Sequence, residues 1–188
     1  MRCNFIVLVK HFFDAIKRRV LSPIRYARHI GVKIGKGCRI DTKNWPTEPY
    51  LIEIGDYVRV AKGTSFYTHG GLVSLRKYYH DNDIDQFGRI KIGDYSYVGE
   101  NCMILQGVVI GKCCIIGGGS VVTKCVPDGC MVAGNPAKFI GYSEEFYKRV
   151  KETNNVHCFR MSASEKKEYL LSLPDTAFSV KPYIRVPE

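Results

Sequence analysis

An aliphatic residue returns every six positions through the middle of this chain, and that period constrains the fold more than any other feature. Ile92, Val98, Ile104, Ile110, Ile116 and Val122 form the unbroken series. Four residues after each stands a small or β-branched residue: Ser96, Cys102, Val108, Cys114, Ser120 and Val126. The position directly after carries Gly93, Gly99, Gly111 and Gly117, and only Leu105 and Thr123 depart from glycine. The same pattern appears earlier at Ile34-Gly35, Ile54-Gly55 and Val60-Ala61, with Cys38, Val58 and Thr64 in the small slot. A period of six is not the 3.6 of a helix, and it is too short for the strand spacing of a sandwich. It fits one side of a triangular solenoid, a short strand and a turn, with three sides to a coil of about eighteen residues and coils stacked through parallel strands. The glycines are expected to supply corner conformations that side chains disfavour.

Two interruptions break the count. From Ile40 to Ile54 the interval is 14, and it holds Trp45-Pro46-Thr47-Glu48-Pro49-Tyr50. From Phe66 to Ile92 it is 26, and residues 70–89 have no hexad character. That stretch is polar, with Asp81, Asp83 and Asp85 beside Arg76, Lys77 and His80. It reads as a long loop protruding from a rigid coil, where function concentrates. Beyond the repeats, Ser143, Glu144 and Glu145 open a helical stretch ending near Asn154 and Asn155. A second helix begins at Ser162, with Glu165 completing a capping box. The resulting organisation is a basic amphipathic helical segment over 1–29, a β-helix over 30–141 and a helical extension over 142–188.

Charge is concentrated at the start. The net formal charge is +10. Ten basic residues among the first 40, against Asp14 alone, put +9 of it there. Phe5, Leu8, Phe12, Phe13, Ile16 and Val20 recur at helical spacing within this segment. Such a stripe predicts packing against the rest of the protein, with contact to an anionic membrane surface as the second reading. The apolar run Phe5 to Val9 is broken by Lys10 and His11 with no small-residue cleavage site after it, so neither a membrane span nor a secretory signal is expected. Eight cysteines suggest a disulfide framework, but Cys113 and Cys114 are adjacent, no C-x-x-C occurs, and no two cysteines lie eighteen apart to stack in neighbouring coils. Cys38, Cys102 and Cys114 occupy the small inward slot as compact apolar residues, which suits a reduced, cytoplasmic protein.

The hexads, closing in Val132-Ala133-Gly134-Asn135-Pro136-Ala137-Lys138, resemble the hexapeptide-repeat acyltransferases. Thr47-Glu48-Pro49-Tyr50-Leu51, Thr68-His69-Gly70-Gly71 and the run from Ile90 to Lys138 resemble the galactoside and xenobiotic acetyltransferase branch, above all its sugar and polysaccharide O-acetyltransferases. The resemblance implies an all-β core wound as a left-handed parallel β-helix, assembled as a homotrimer. It implies acetyl transfer from acetyl-CoA to a hydroxyl of a sugar or polysaccharide precursor, without a metal. His69 matches the catalytic histidine, and an imidazole is the side chain suited to take a hydroxyl proton near neutral pH. Gly118, Thr123, Lys124 and Lys138 match positions that meet coenzyme A, the lysines near its phosphates. His80, Asp81, Asp83 and Asp85 are candidates for holding the acceptor, and one of the three acids for orienting His69.

Other functions compete. A non-catalytic solenoid scaffold would share the repeat, as would an acetyltransferase acting on an amine or xenobiotic. A γ-type carbonic anhydrase needs three histidines in its coils; of the five here, only His69 and His80 lie between the chain's ends. A nucleic-acid role would rest on the basic segment alone and has no motif behind it. Sugar nucleotidyltransferases add a large α/β domain that 188 residues cannot hold.

Overall fold

Each hexad folds as a strand of two or three residues followed by a turn, in a computed structural model that describes residues 12–153, 156–181 and 183. The strands gather into three parallel sheets. The first holds β1 (Lys33–Ile34), β3 (Ile52–Ile54), β6 (Ile90–Ile92) and β9 (Val109–Ile110). The second holds β2 (Arg39–Ile40), β4 (Arg59–Val60), β7 (Tyr97–Val98), β10 (Ile115–Ile116) and β12 (Cys130–Ala133). The third holds β5 (Ser65–Phe66), β8 (Met103–Ile104) and β11 (Val121–Val122). Consecutive strands belong to different sheets, so the chain winds around a common interior as a parallel β-helix. The leading aliphatics fill that interior: Ile92, Val98, Ile104, Ile110, Ile116 and Val122 are each at most 3% exposed. They stack on their counterparts one coil away and form a single apolar column.

Register gives the length of every coil. Tyr97 pairs with Ile115 and Met103 with Val121, so the regular coil is eighteen residues. Arg39 pairs with Arg59, a coil of twenty, and Arg59 with Tyr97, a separation of 38 that absorbs the long insertion. The last coil is shorter: Ile115 meets Met131, sixteen residues on. That shortening overturns one expectation from sequence. It sets Cys114 and Cys130 at matching positions on adjacent strands, both buried as free thiols.

Two further expectations change in detail. The glycines after the leading aliphatics are needed for close stacking, not for unusual backbone angles. A Cβ on Gly93 would lie 2.6 Å from the carbonyl carbon of Gly111, and one on Gly99 would lie 2.6 Å from the nitrogen of Gly118. Left-handed backbone falls elsewhere on the corners, at Tyr57, Tyr95, Asn101 and Cys113 among others. Nor is the small slot merely apolar. Ser96 Oγ donates to the Gly111 carbonyl at 2.7 Å, Thr64 Oγ1 to Gly99 at 2.7 Å, and Cys102 Sγ to Gly117 at 3.2 Å. A short polar side chain there satisfies a corner carbonyl that no strand can reach. Burial pushes the Cys102 and Cys114 thiols up, away from the reactive thiolate.

Both ends of the solenoid are covered. At the start, residues 12–20 are helical (α1) and Pro23–His29 forms α2. Arg28 of α2 donates Nη2 to the carbonyls of Ile34 at 3.2 Å and Gly35 at 2.8 Å. At the far end the chain turns back through Gly134 and a cis Asn135-Pro136 bond, and β13 (Lys138–Tyr142) pairs antiparallel with β12. The orientation of α1 reverses the packing expected of its apolar stripe. Phe12, Phe13, Ile16 and Val20 are exposed, whereas the opposite face is tied to the body by Lys43 Nζ donating to the Arg18 carbonyl at 2.5 Å. Phe5 and Leu8, part of the same expected stripe, lie outside the described residues.

The insertion contains a helix that its polar composition conceals, α3 (Leu72–Tyr79), ending at His80 in a left-handed C-cap. Residues 144–188 make up a separate unit. There α4 (Ser143–Thr153) starts where the acidic residues foretell, and its expected end at Asn154 and Asn155 lies outside the described residues. Helix α5 (Ala163–Ser172) carries the full capping box: Ser162 Oγ accepts from Glu165 N–H while Glu165 Oε2 accepts from Ser162 N–H at 2.7 Å.

Candidate active site

The twenty-residue coil builds the site. Its two extra residues bulge out through Trp45 to Tyr50 and bring Glu48 against Thr68, twenty positions later. Glu48 Oε2 accepts hydrogen bonds from Thr68 Oγ1 at 2.7 Å and from His69 Nδ1 at 2.8 Å, while Thr47 Oγ1 donates to Oε1 at 2.6 Å. Partial burial opposes the charge on this carboxylate. Hydrogen bonds from Thr47, Thr68 and His69 outweigh it and lower the Glu48 pKa from the usual 4.5 to about 2. Glu48 is therefore an anion at neutral pH. A histidine that donates Nδ1–H to such an anion leaves Nε2 as its free lone pair.

Backbone pairing fixes where the histidine sits. Both ends of the insertion meet there: His69 bridges Phe87, and Gly88 N–H donates to the Thr68 carbonyl at 2.8 Å. Gly88 must be glycine, because a Cβ would lie 2.3 Å from the nitrogen of Gly107 in the next coil. The Phe87 ring stands edge-on to the imidazole, with centroids 6.0 Å apart. One side of His69 opens onto a hollow bounded by Trp45, Thr47, Phe66, Tyr67 and Arg18. Trp45 and Phe66 stack in parallel, 4.9 Å between centroids. Trp45 Nε1 is buried without a hydrogen-bond partner among the described residues.

The other candidates separate into groups. Asp81, Asp83 and Asp85 do not reach His69. Asp85 pairs with Arg76 at 2.5 Å, and Asp81 Oδ1 accepts from the Asp83 backbone N–H, so these acids brace the turn after α3. His80 is exposed at the cap of that helix. Gly118, Thr123, Lys124 and Lys138 are all exposed near the far end of the coil. Register carries the corner after β5 to those after β8 and β11, so Thr68-His69, Gln106-Gly107 and Lys124-Cys125 occupy equivalent positions. Lys124 thus lies on the same edge as His69, two coils away, roughly 10 Å along the axis. It borders a groove with Val126, Pro127, Cys130, Phe139 and Tyr142. Gly118 packs by its backbone against Glu100, and Lys138 opens β13. Among the described residues, no three His, Cys, Asp or Glu side chains gather as a metal site, and no helix is long and apolar enough to cross a membrane.

Glu48, Thr47, Trp45 and Arg18 are the site residues that sequence reasoning did not assign. Glu48 had a signal: the fourteen-residue interval lengthens the coil by two. Counting twenty back from Thr68, in place of eighteen, lands on it.

Comparison with known proteins agrees with this architecture. The family described as bacterial transferase hexapeptide (six repeats) matches residues 89–124. Protein CapG of Staphylococcus aureus is 41% identical over 168 residues, covering 87% of this chain and 95% of that protein. The putative acetyltransferase YvoF of Bacillus subtilis (strain 168) is 30% identical over 162 residues, covering 79% and 86%. In fold the chain is similar to a maltose O-acetyltransferase from Clostridium difficile 630, with a TM-score of 0.55 at 24% identity over 72% of this chain and 88% of that one. The repeat, the stacked coils and relatives aligned along most of their length establish that this chain belongs to the hexapeptide-repeat family of acetyltransferases.

Proposed function

We propose that the protein moves an acetyl group from acetyl-CoA to a hydroxyl of a sugar or polysaccharide precursor, with His69 as general base. The observation that carries this reading is the Glu48–His69 hydrogen bond at 2.8 Å, beside a hollow floored by stacked aromatic rings. Nε2 takes the acceptor's proton as its oxygen attacks the thioester carbonyl. The tetrahedral intermediate then expels the CoA thiolate, and the proton on Nε2 passes to the departing sulfur. A backbone N–H at the subunit boundary holds the developing oxyanion. Gly118 and Thr123 admit the pantetheine arm, and Lys124 and Lys138 answer the phosphates. The working assembly in this reading is a left-handed homotrimer with coenzyme A between subunits, in the cytoplasm. His80 and the acids of the insertion border the acceptor's approach. The test is thiol release from acetyl-CoA against a panel of sugars and small amines. Sugar-dependent release is expected; release with amines alone would overturn the acceptor class, and no release with any acceptor would overturn the reaction.

The exposed face of α1 belongs to the same reading as a contact with an anionic bilayer. Phe12, Phe13, Ile16 and Val20 face outward, flanked by Lys17 and Arg19, in a segment that holds nearly all of the net charge. At about 1 kcal/mol for each basic residue near the surface, Lys17→Ala with Arg19→Ala should weaken binding to anionic vesicles about 30-fold. Sedimentation with anionic and with zwitterionic vesicles measures this, and equal binding to both would refute it.

A further inference from the structure

The polar face of α1 points where a helix cap needs no charge. Asp14 and Arg18 are one turn apart and share a face, roughly opposite Phe12, Ile16 and Val20. Asp14 is answered by His29, with 3.9 Å between Oδ1 and Nε2. Arg18 has no carboxylate within ion-pair distance among the described residues, and yet it borders the hollow that His69 opens onto. It also borders the adjoining hollow, whose lining includes Asp14, His29, Lys43, Trp45 and Tyr50. Its backbone carbonyl accepts from the ammonium of Lys43, and both residues line the adjoining hollow. On the opposite side, the one carboxylate near the imidazole, Glu48, is spent on Thr47, Thr68 and His69. The hollow therefore offers an aromatic floor, a histidine, and a guanidinium that is in no ion pair among the described residues, with Asp14 one turn away turned to His29.

We infer that the acceptor is an anionic sugar, and that Arg18 selects it by pairing with a carboxylate or phosphate group away from the reacting hydroxyl. A guanidinium presents paired N–H donors that match the oxygens of either anion. Arg18 is exposed, so the pairing is solvent-screened and its selectivity is about two- to fivefold. This deepens the acetyl-transfer reading and rests on it for the identity of the site, but it is testable without turnover. Trp45 is the sole tryptophan of the chain and lines both hollows, so intrinsic fluorescence reports on this place alone.

The experiment titrates the full chain with a hexose, the matching hexuronate and the matching hexose phosphate, following Trp45 emission, with Arg18→Gln and Arg18→Lys in parallel. The wild type is expected to bind at least one anionic sugar about two- to fivefold more tightly than the neutral one. Arg18→Gln should erase that preference, and Arg18→Lys should keep part of it. A tighter hexuronate identifies the carboxylate as the group read, and a tighter phosphate identifies the phosphate. Equal affinity for all three sugars, no emission change with any, or an intact preference in Arg18→Gln would overturn the inference. Running thiol release on the same samples separates the two proposals. Anion-selective binding without transfer would sink the reaction and leave Arg18 standing, whereas transfer to sugars without charge preference would do the reverse.

Discussion

His69→Ala should lower kcat by about 10²- to 10⁴-fold, the usual contribution of a general base. An alcohol is a poor nucleophile while it keeps its proton, and no other described side chain in the hollow offers a lone pair so placed. The loss should fall on kcat, because in the proposed mechanism the imidazole acts on the acceptor oxygen in the transition state and not on the nucleotide. The KM for acetyl-CoA should change by less than about threefold. His69→Asn is the sharper variant, since it keeps a polar group facing Glu48 and removes only the base. Steady-state thiol release with the best acceptor from the panel measures both, and rates equal to wild type would leave the mechanism without its base.

Glu48→Gln should cost about 10²- to 10³-fold in kcat although Glu48 touches no reacting atom, because losing the orienting anion releases the histidine's tautomer. A glutamine can present its amide N–H to Nδ1 as readily as its oxygen, and the ring then carries its proton on Nε2, where the base is needed. Glu48 is thus a positioning residue, and ¹⁵N spectra of the His69 ring distinguish this role from simple unfolding. The wild type should show protonated Nδ1 and bare Nε2, and Glu48→Gln a mixture. Glu48→Asp should recover part of the rate. Stability carries a second signature. The folded carboxyl titrates at about 2 against an ordinary 4.5, so its ionisation stabilises the fold at neutral pH. That contribution is fully present above pH 4.5 and is lost as pH falls toward 2, so the stability gap between wild type and Glu48→Gln should narrow over that window. A pH-independent gap in urea unfolding, with an unchanged ring tautomer, would contradict the dyad.

The coil was legible because its determinants are local and repeated. Ile92 and Ile110 each need the same neighbours, so six residues state the rule for the whole stack. The α5 cap was legible for the same reason, since Ser162 and Glu165 satisfy each other within one turn. The site was not, because it lies where the rule is broken. At a coil of eighteen, Tyr50 would be the neighbour of Thr68; the two inserted residues replace it with Glu48, and an acid in a turn becomes the partner of His69. The same arithmetic runs the other way at Cys114 and Cys130, which only a coil two residues short brings level. The three aspartates of the insertion misled because charge near a histidine in sequence is not proximity in space. Arg76 lies closer to Asp85 and binds it. For α1 the amphipathic pattern was readable, but not which face the body would keep. The contacts that hold the other face, Lys43 on the Arg18 carbonyl and His29 near Asp14, come from 25 and 15 residues away.

The covered ends have a consequence for the life of the molecule. Stacked parallel coils are a growth form: the last strand of one copy presents the row of N–H and C=O groups that the first strand of another requires, and fibres lengthen on such surfaces. Here Arg28 occupies the carbonyls of Ile34 and Gly35 at one terminus of the stack, and β13 runs against β12 in the opposite sense at the other. An incoming parallel coil would meet a guanidinium on one side and a strand of the wrong polarity on the other. The solenoid is finite by construction, closed to end-to-end growth at the two edges these groups occupy.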